Sequence, residues 1–248
     1  MSEFTYAWYR EFLAECKRSG QIRTLAEAHV SEPGSILMRH DVDYDLEAAD
    51  AIRRIEVEMG VRSSFLFLVS TDFYNVASPS GRRFLGELIR QGFDVGLHFD
   101  PDVHGDRPLE AAFAAERAFL ESITGQPLRS VSLHNPSSHH RYPAFEGVVN
   151  AYDPRWFGPD RYVSDSSRRW RRDPLAFLAS DRLPIVQVLT HPIHFSEDGV
   201  GYRPQFERMV RSWGERLHDY ALRYNQSYRE ECELDPGLST SAEDLPKR

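Results

Sequence analysis

The chain has 248 residues, of which 41% are hydrophobic, 12% aromatic and 27% charged, and its formal net charge is -8. A chain of this length can bury a substantial core, and its composition resembles neither a disordered nor a membrane chain. The acidic balance argues against a general nucleic-acid binder, and no apolar run approaches the roughly 20 residues that a membrane span requires.

The first residues, Met1-Ser2-Glu3-Phe4-Thr5-Tyr6, contain no basic stretch leading into an apolar one, so a cytoplasmic location without membrane insertion is expected. Residues 5 to 19 place Tyr9, Phe12, Leu13 and Cys16 on one face and stop at Gly20, the pattern of an amphipathic opening helix. Ile36 to Arg39 reads as a strand, and Ala48, Ile52, Ile55 and Met59 repeat at helical spacing up to Gly60. Arg62 to Val69 is a continuous apolar strand. The alternation continues with a helix over 81–91, a strand from Phe93 to Leu97, a helix from Pro108 to Gly125 and a strand from Arg129 to Leu133. Residues 142 to 180 mix turns with short helical pieces, Arg161 to Val163 is a candidate strand, and Ile185 to Thr190 is a buried one. A long amphipathic helix from about Pro204 to Tyr228 follows. The expected domain spans residues 1–232, and the polar segment 233–248 reads as a flexible tail. Strands alternating with helices imply an α/β fold in which a parallel sheet closes into a single-domain, distorted (β/α) barrel of about seven strands.

The strands end, in order, at Asp41 and Asp43, at His98 and Asp100, at His134, near Asp165 and at His191. In a β/α barrel these ends converge on one mouth, so metal-ligand and proton-transfer residues far apart in sequence would meet. Asp41 and Asp43 share one side of an extended strand, and two neighbouring carboxylates persist where a cation or a shared proton offsets their repulsion. An acidic turn capping the next helix is the competing reading, and Asp45 reads as that cap. His40 points the other way, toward packing or supporting hydrogen bonds. Cys16 and Cys232 lie far apart and outside any Cys-x-x-Cys arrangement, so a metal here would be held by Asp and His.

Arg39-His40-Asp41-Val42-Asp43, Gly92-Phe93-Asp94-Val95-Gly96-Leu97-His98, Val131-Ser132-Leu133-His134-Asn135-Pro136, Tyr162-Val163-Ser164-Asp165 and Val188-Leu189-Thr190-His191-Pro192 resemble, in order, the five motifs of the polysaccharide deacetylases of carbohydrate esterase family four. The first is similar to the variant found in relatives assigned to surface-polysaccharide biosynthesis, and the resemblance spans roughly residues 35 to 195. It implies a metal-dependent hydrolase acting on a C–N bond, with Asp41 as base, His191 as acid, Asp165 orienting His191, and a divalent ion, zinc by expectation, on Asp43, His98 and a third ligand. The family's second histidine, four residues after the first, is replaced by Asp102, which leaves His134, Asp100 and His104 as candidates, with His134 favoured. The usual arginine of the third motif is absent, a role that Arg39 can inherit. The expected substrate is an N-acetylated sugar or glycan precursor. The basic run Arg168-Arg169-Trp170-Arg171-Arg172 reads either as a solvated segment or as a surface on which Arg168 and Arg169 meet a charged, carrier-linked sugar and Trp170 stacks on its ring. His139 and His140 diverge as neighbours and read as loop residues; His194 lines the mouth or packs; His29 and His218 read as surface residues. Another amide hydrolase, a deformylase for example, and a carbohydrate-binding relative without turnover are the alternatives. The sequence leaves the oligomeric state open.

Overall fold

The computed structural model describes residues 3–139, 142–179 and 183–234. They form two compact units, one up to Gly199 and one from Val200. In chain order the first contains α1 (Tyr6–Ser19), β1 (Gln21–Thr24), β2 (Ser35–Val42), α2 (Leu46–Glu58), β3 (Ser64–Phe67), α3 (Pro79–Arg90), β4 (Asp94–Phe99), α4 (Leu109–Thr124), β5 (Ser130–Leu133), α5 (Pro136–His139), β6 (Val149–Asn150), β7 (Tyr162–Ser164), α6 (Pro174–Leu178) and β8 (Val186–Thr190). The second contains α7 (Tyr202–Tyr224) and α8 (Gln226–Leu234).

All described strand pairings are parallel, and seven strands run in the order β6-β5-β4-β3-β2-β8-β7. β1 pairs with the first half of β2 and β3 with the second, so both share the edge of β2 opposite β8. The helices start from side-chain caps: Thr5, Asp45, Ser78 and Asp173 accept from backbone amides of the first turns of α1, α2, α3 and α6. Their apolar faces cover one side of the sheet. Ile36, Met38 and Val42 of β2 belong to this main core, with Phe65, Phe67, Leu97, Phe99, Val131, Leu133, Val186 and Val188, and with Tyr9, Phe12 and Leu13 of α1.

The alternate residues face a second, smaller core made by Leu37, Leu66, Val149, Ala151 and Trp156, plugged by Leu25 and Ala28. Leu37 is on β2 while Val149 is on β6, four places away in strand order, and Gln187 Nε2 of β8 donates to the Ala151 carbonyl at 2.8 Å. The sheet is therefore curled about an interior, the distorted (β/α) barrel expected from the alternation. The interior is narrow: a Cβ on Gly96 of β4 would lie 2.6 Å from Leu66 Cδ2 and 2.9 Å from the Ser130 carbonyl oxygen. Only glycine fits there.

His40 leaves the barrel on the helix side. Its Nδ1 lies 2.6 Å from Thr190 Oγ1 and its Nε2 2.9 Å from Glu56 Oε1, while Tyr9 OH and Ser63 Oγ donate to the same carboxylate at 2.8 and 2.6 Å. This buried network ties β2 to β8, α1 and α2 just behind the mouth.

The single helix expected over 204–228 is two helices. Asn225 takes an extended conformation and its Oδ1 accepts from Tyr228 N at 3.1 Å, so it ends α7 and caps α8. Beyond Leu234 the expected tail lies outside the described residues.

Candidate metal centre and its proton-transfer groups

Because the strands are parallel, their C-terminal ends share one rim, and Asp43, His98 and His134 meet there. Asp43 follows β2, His98 is the penultimate residue of β4, and His134 follows β5, whose ladder it extends by donating its backbone N–H to the Phe99 carbonyl at 2.8 Å. Asp43 Oδ1 lies 3.2 Å from His98 Nε2 and 3.6 Å from His134 Nδ1, and the two imidazole nitrogens are 3.1 Å apart. Donors sharing one tetrahedral ion at bonds of ~2.0–2.2 Å stand about 3.3 Å from one another. The three donors have that spacing. Asp43 Oδ1 is also buried without a well-formed hydrogen bond, the state of a ligand atom facing a cation position. The residues fit a divalent ion of the zinc type, with one carboxylate and two imidazoles leaving room for further ligands.

Burial raises the affinity of Asp43 for a proton, but its contacts with His134 and His98 and the charge of His191 outweigh burial and hold its carboxyl well below the usual range. Burial lowers His134, and the contact with Asp43 more than reverses that.

Asp41 does not share this cluster. It lies beyond the far edge of the His98 ring, with Oδ2 3.8 Å from His98 Nδ1, so the imidazole separates the two carboxylates. Their repulsion is relieved separately: Asp43 has the histidines, and Asp41 has Arg39, whose Nη1 is 2.9 Å from both carboxylate oxygens. Arg39 is fully buried, Asp41 nearly so. Burial lowers the affinity of Arg39 for its proton, and the Asp41 charge more than restores it. Nη2 of Arg39 donates to Tyr152 OH at 3.3 Å, and that hydroxyl donates to the Leu133 carbonyl at 3.2 Å.

On the other side of Asp43 stands His191, with Nε2 4.0 Å from Asp43 Oδ2. Asp165, following β7, accepts from His191 N at 3.1 Å through both oxygens, lies 2.6 Å from His191 Nδ1 through Oδ1, and 2.8 Å from His194 Nδ1 through Oδ2. Three donors saturate this buried carboxylate and account for it without a second ion. Burial works against the charged form of His191, but the Asp165 charge and hydrogen bond prevail and push it up to about 9. The same contacts overcome burial to hold Asp165 well below the usual carboxylate range.

Asp41, Asp43, His98, His134, Asp165, His191 and Arg39 are thus brought together. The two other candidates for the third ligand are elsewhere. Asp100 Oδ1 accepts from Asp102 N at 3.0 Å, and His104 Nε2 is 3.1 Å from Glu116 Oε1 with its ring stacked on Phe99. Arg168 and Trp170 are also placed differently from the substrate surface expected of them. The Trp170 ring packs on Phe4, Trp8 and Phe12 at 6.3, 5.9 and 5.8 Å between centroids, so its faces serve the core around α1. Arg168 spends its guanidinium on the Phe4 ring, 4.7 Å away, and on the Gly199 carbonyl at 2.5 Å. The Arg169 side chain is exposed, and its backbone N–H donates to the Asp165 carbonyl at 3.1 Å. The run is basic in composition, yet its aromatic member is a packing residue. Asp45 caps α2 as expected, His29 meets the edge of Trp156, and His218 pairs with Tyr228 OH at 2.8 Å. The His139 side chain and His140 lie outside the described residues.

Ser132, Tyr152 and the Asp165 contact of His194 also belong to the site, beyond the residues expected from the sequence. Ser132 carried one usable signal: it stands two residues before His134 on an extended strand and therefore shares its side. Tyr152 carried none, because it reaches Arg39 only through the curl of the sheet.

No protein-family model matches the chain, and no curated protein matches it in sequence. Among solved structures it is similar to the chitin deacetylase of Colletotrichum lindemuthianum, with 14% identity over 73% of this chain and 83% of that one at a TM-score of 0.44. It is similar to a peptidoglycan N-acetylglucosamine deacetylase, with 13% identity over 73% of this chain and 82% of that one at a TM-score of 0.43. It is also similar to a CE4 family pseudoenzyme from Bacillus anthracis, with 15% identity over 73% of this chain and 60% of that one at a TM-score of 0.41, so it spans well under two thirds of that protein.

Proposed function

We propose that the chain is a metal-dependent hydrolase of the polysaccharide deacetylase type, which removes the acetyl group from an N-acetylated sugar or glycan precursor in the cytoplasm. One observation carries the reading: a three-donor cluster, Asp43, His98 and His134, stands between an arginine-held carboxylate, Asp41, and a histidine, His191, that is backed by its own aspartate. Five motif-bearing strand ends supply these groups in the order in which the sequence resembles the family.

Asp43, His98 and His134 would hold zinc, which would supply Lewis acidity and lower the pKa of water. Asp41 takes a proton from the attacking water, and Arg39 keeps that carboxylate in place while it does so. Asp165 stabilises the imidazolium form of His191, which gives its proton to the departing amine. Water and an acetamide are consumed, and acetate and an amine are released. No helix among the described residues is long and apolar enough to cross a membrane.

The test is acetate release from N-acetylated sugars and their carrier-linked forms by zinc-loaded protein, with formylated and other amides as parallel substrates. Release that is lost in Asp41→Asn while zinc stays bound supports the reading. Turnover confined to formyl groups or to non-sugar amides would move the protein to another class of amide hydrolase. Carbohydrate binding without any turnover would make it a binding relative.

A further inference from the structure

Ser132 is fully buried at the centre of β5, paired in register with His98 on β4. Its Oγ donates to Asp41 Oδ1 at 3.0 Å and stands 2.7 Å from His98 Nδ1. A serine hydroxyl has a single hydrogen. Since Asp41 receives it, the short contact to His98 is one in which Nδ1–H donates to Oγ. That assigns the ring as the Nδ1–H tautomer and turns the lone pair of Nε2 toward Asp43 Oδ1 and His134 Nδ1. Arg39 donates to Asp41 as well, so every hydrogen in this chain points toward that carboxylate.

Without the hydroxyl the balance would reverse. Among the described residues, the carboxylate oxygen near His98 Nδ1 is Asp41 Oδ2, and 3.8 Å is too long for a hydrogen bond. An Nε2–H tautomer, in contrast, would gain a bond to Asp43 Oδ1 at 3.2 Å, with its hydrogen in the space a cation would fill. We propose that Ser132 is a positioning residue that holds His98 in its ion-binding tautomer and thereby makes cation affinity depend on the Asp41 carboxylate two bonds away in the chain of hydrogen bonds. The inference rests on reading Asp43, His98 and His134 as the cation site.

Two measurements on the full chain test it. The first is zinc affinity by competition with a chromogenic chelator, for the wild type, Ser132→Ala and Ser132→Thr. Ser132→Ala is expected to weaken zinc by roughly 10–100-fold, the usual loss when the partner of a ligating histidine is removed, and Ser132→Thr, which keeps the hydroxyl, to recover most of it. The second is the ring nitrogen NMR pattern of His98 in ion-free protein at alkaline pH. The wild type and Ser132→Thr should show the Nδ1–H form, and Ser132→Ala should show a substantial Nε2–H population. An unchanged pattern and affinity in Ser132→Ala would overturn the proposal, as would a loss of zinc that Ser132→Thr fails to reverse. A wild type that binds no zinc would defeat the reading of the cation site, yet the nitrogen pattern would still decide the role of Ser132.

Discussion

Arg39 and Asp41 stand two residues apart on the inward face of β2, and Arg39 Nη1 lies 2.9 Å from both oxygens of the Asp41 carboxylate. Neither is accessible to water to any useful extent, so the pair is an obligate one. Removing one partner of such a buried pair leaves an uncompensated charge, at a cost of ~3–5 kcal/mol. Arg39→Met, which keeps most of the volume, is therefore expected to lower stability by about that amount in urea unfolding, and adding Asp41→Asn should restore part of the loss. A change below about 1 kcal/mol in the single variant would mean that Arg39 does not anchor the Asp41 carboxylate.

The three donors at the rim make a second expectation. Asp43→Asn, His98→Ala and His134→Ala each remove one donor and should abolish stoichiometric zinc binding in equilibrium dialysis. His104→Ala should leave it intact, because His104 is occupied with Glu116 on the far side of Phe99. Zinc retained in His134→Ala and lost in His104→Ala would reverse the assignment of the third ligand.

The His191–Asp165 pair predicts a pH dependence whose sign follows from the raised value of His191. A histidine that binds its proton more tightly when folded adds stability that is complete below its unfolded value of about 6.5 and disappears as pH rises through about 9. Ion-free protein should lose stability across that window, and Asp165→Asn should flatten the loss and move the His191 titration, followed by ring NMR, down toward 6.5. A titration midpoint that stays where it was in Asp165→Asn would show that Asp165 does not set the charge of His191.

Trp170 separates packing from recognition. With its ring against Phe4, Trp8 and Phe12, Trp170→Ala should cost about 3 kcal/mol of stability, in the range of large aromatic deletions. Arg169→Ala, at an exposed position, should change stability by less than ~0.5 kcal/mol. If Trp170→Ala kept full stability and instead raised the Michaelis constant for a sugar substrate, the stacking surface expected from the sequence would be restored.

The helices and the long strands were legible because their apolar residues repeat at 3.6 or run unbroken: Tyr9, Phe12, Leu13 and Cys16 of α1 are all buried, as their spacing required. β1 and β6 were not. Gln21-Ile22-Arg23-Thr24 is half exposed and carries a charge, and β6 is the two residues Val149–Asn150, which are extended only because Ser130 and Val131 pair with them. The rim residues were legible for a different reason. Parallel strands put every C-terminal end on one edge, so Asp43, His98 and His134 needed only to be recognised as strand ends. Their internal arrangement was hidden. Nothing in Asp41-Val42-Asp43 says that the His98 ring will part the two carboxylates, or that a serine will join one of them to that ring. The curl that brings Tyr152 to Arg39 depends on close contacts such as the one at Gly96, which no local pattern encodes. In the basic run, composition reports charge and aromatic content but not the side on which Trp170 emerges, here against Phe4, Trp8 and Phe12.

Asp43, His98 and His134 are placed to hold one divalent cation, and anomalous scattering from a zinc-soaked crystal would locate that ion. A single peak ~2.0–2.2 Å from Asp43 Oδ1, His98 Nε2 and His134 Nδ1 is the predicted result. A peak at Asp165, His191 and His194, or at His104 and Glu116, with the rim cluster empty, would contradict it.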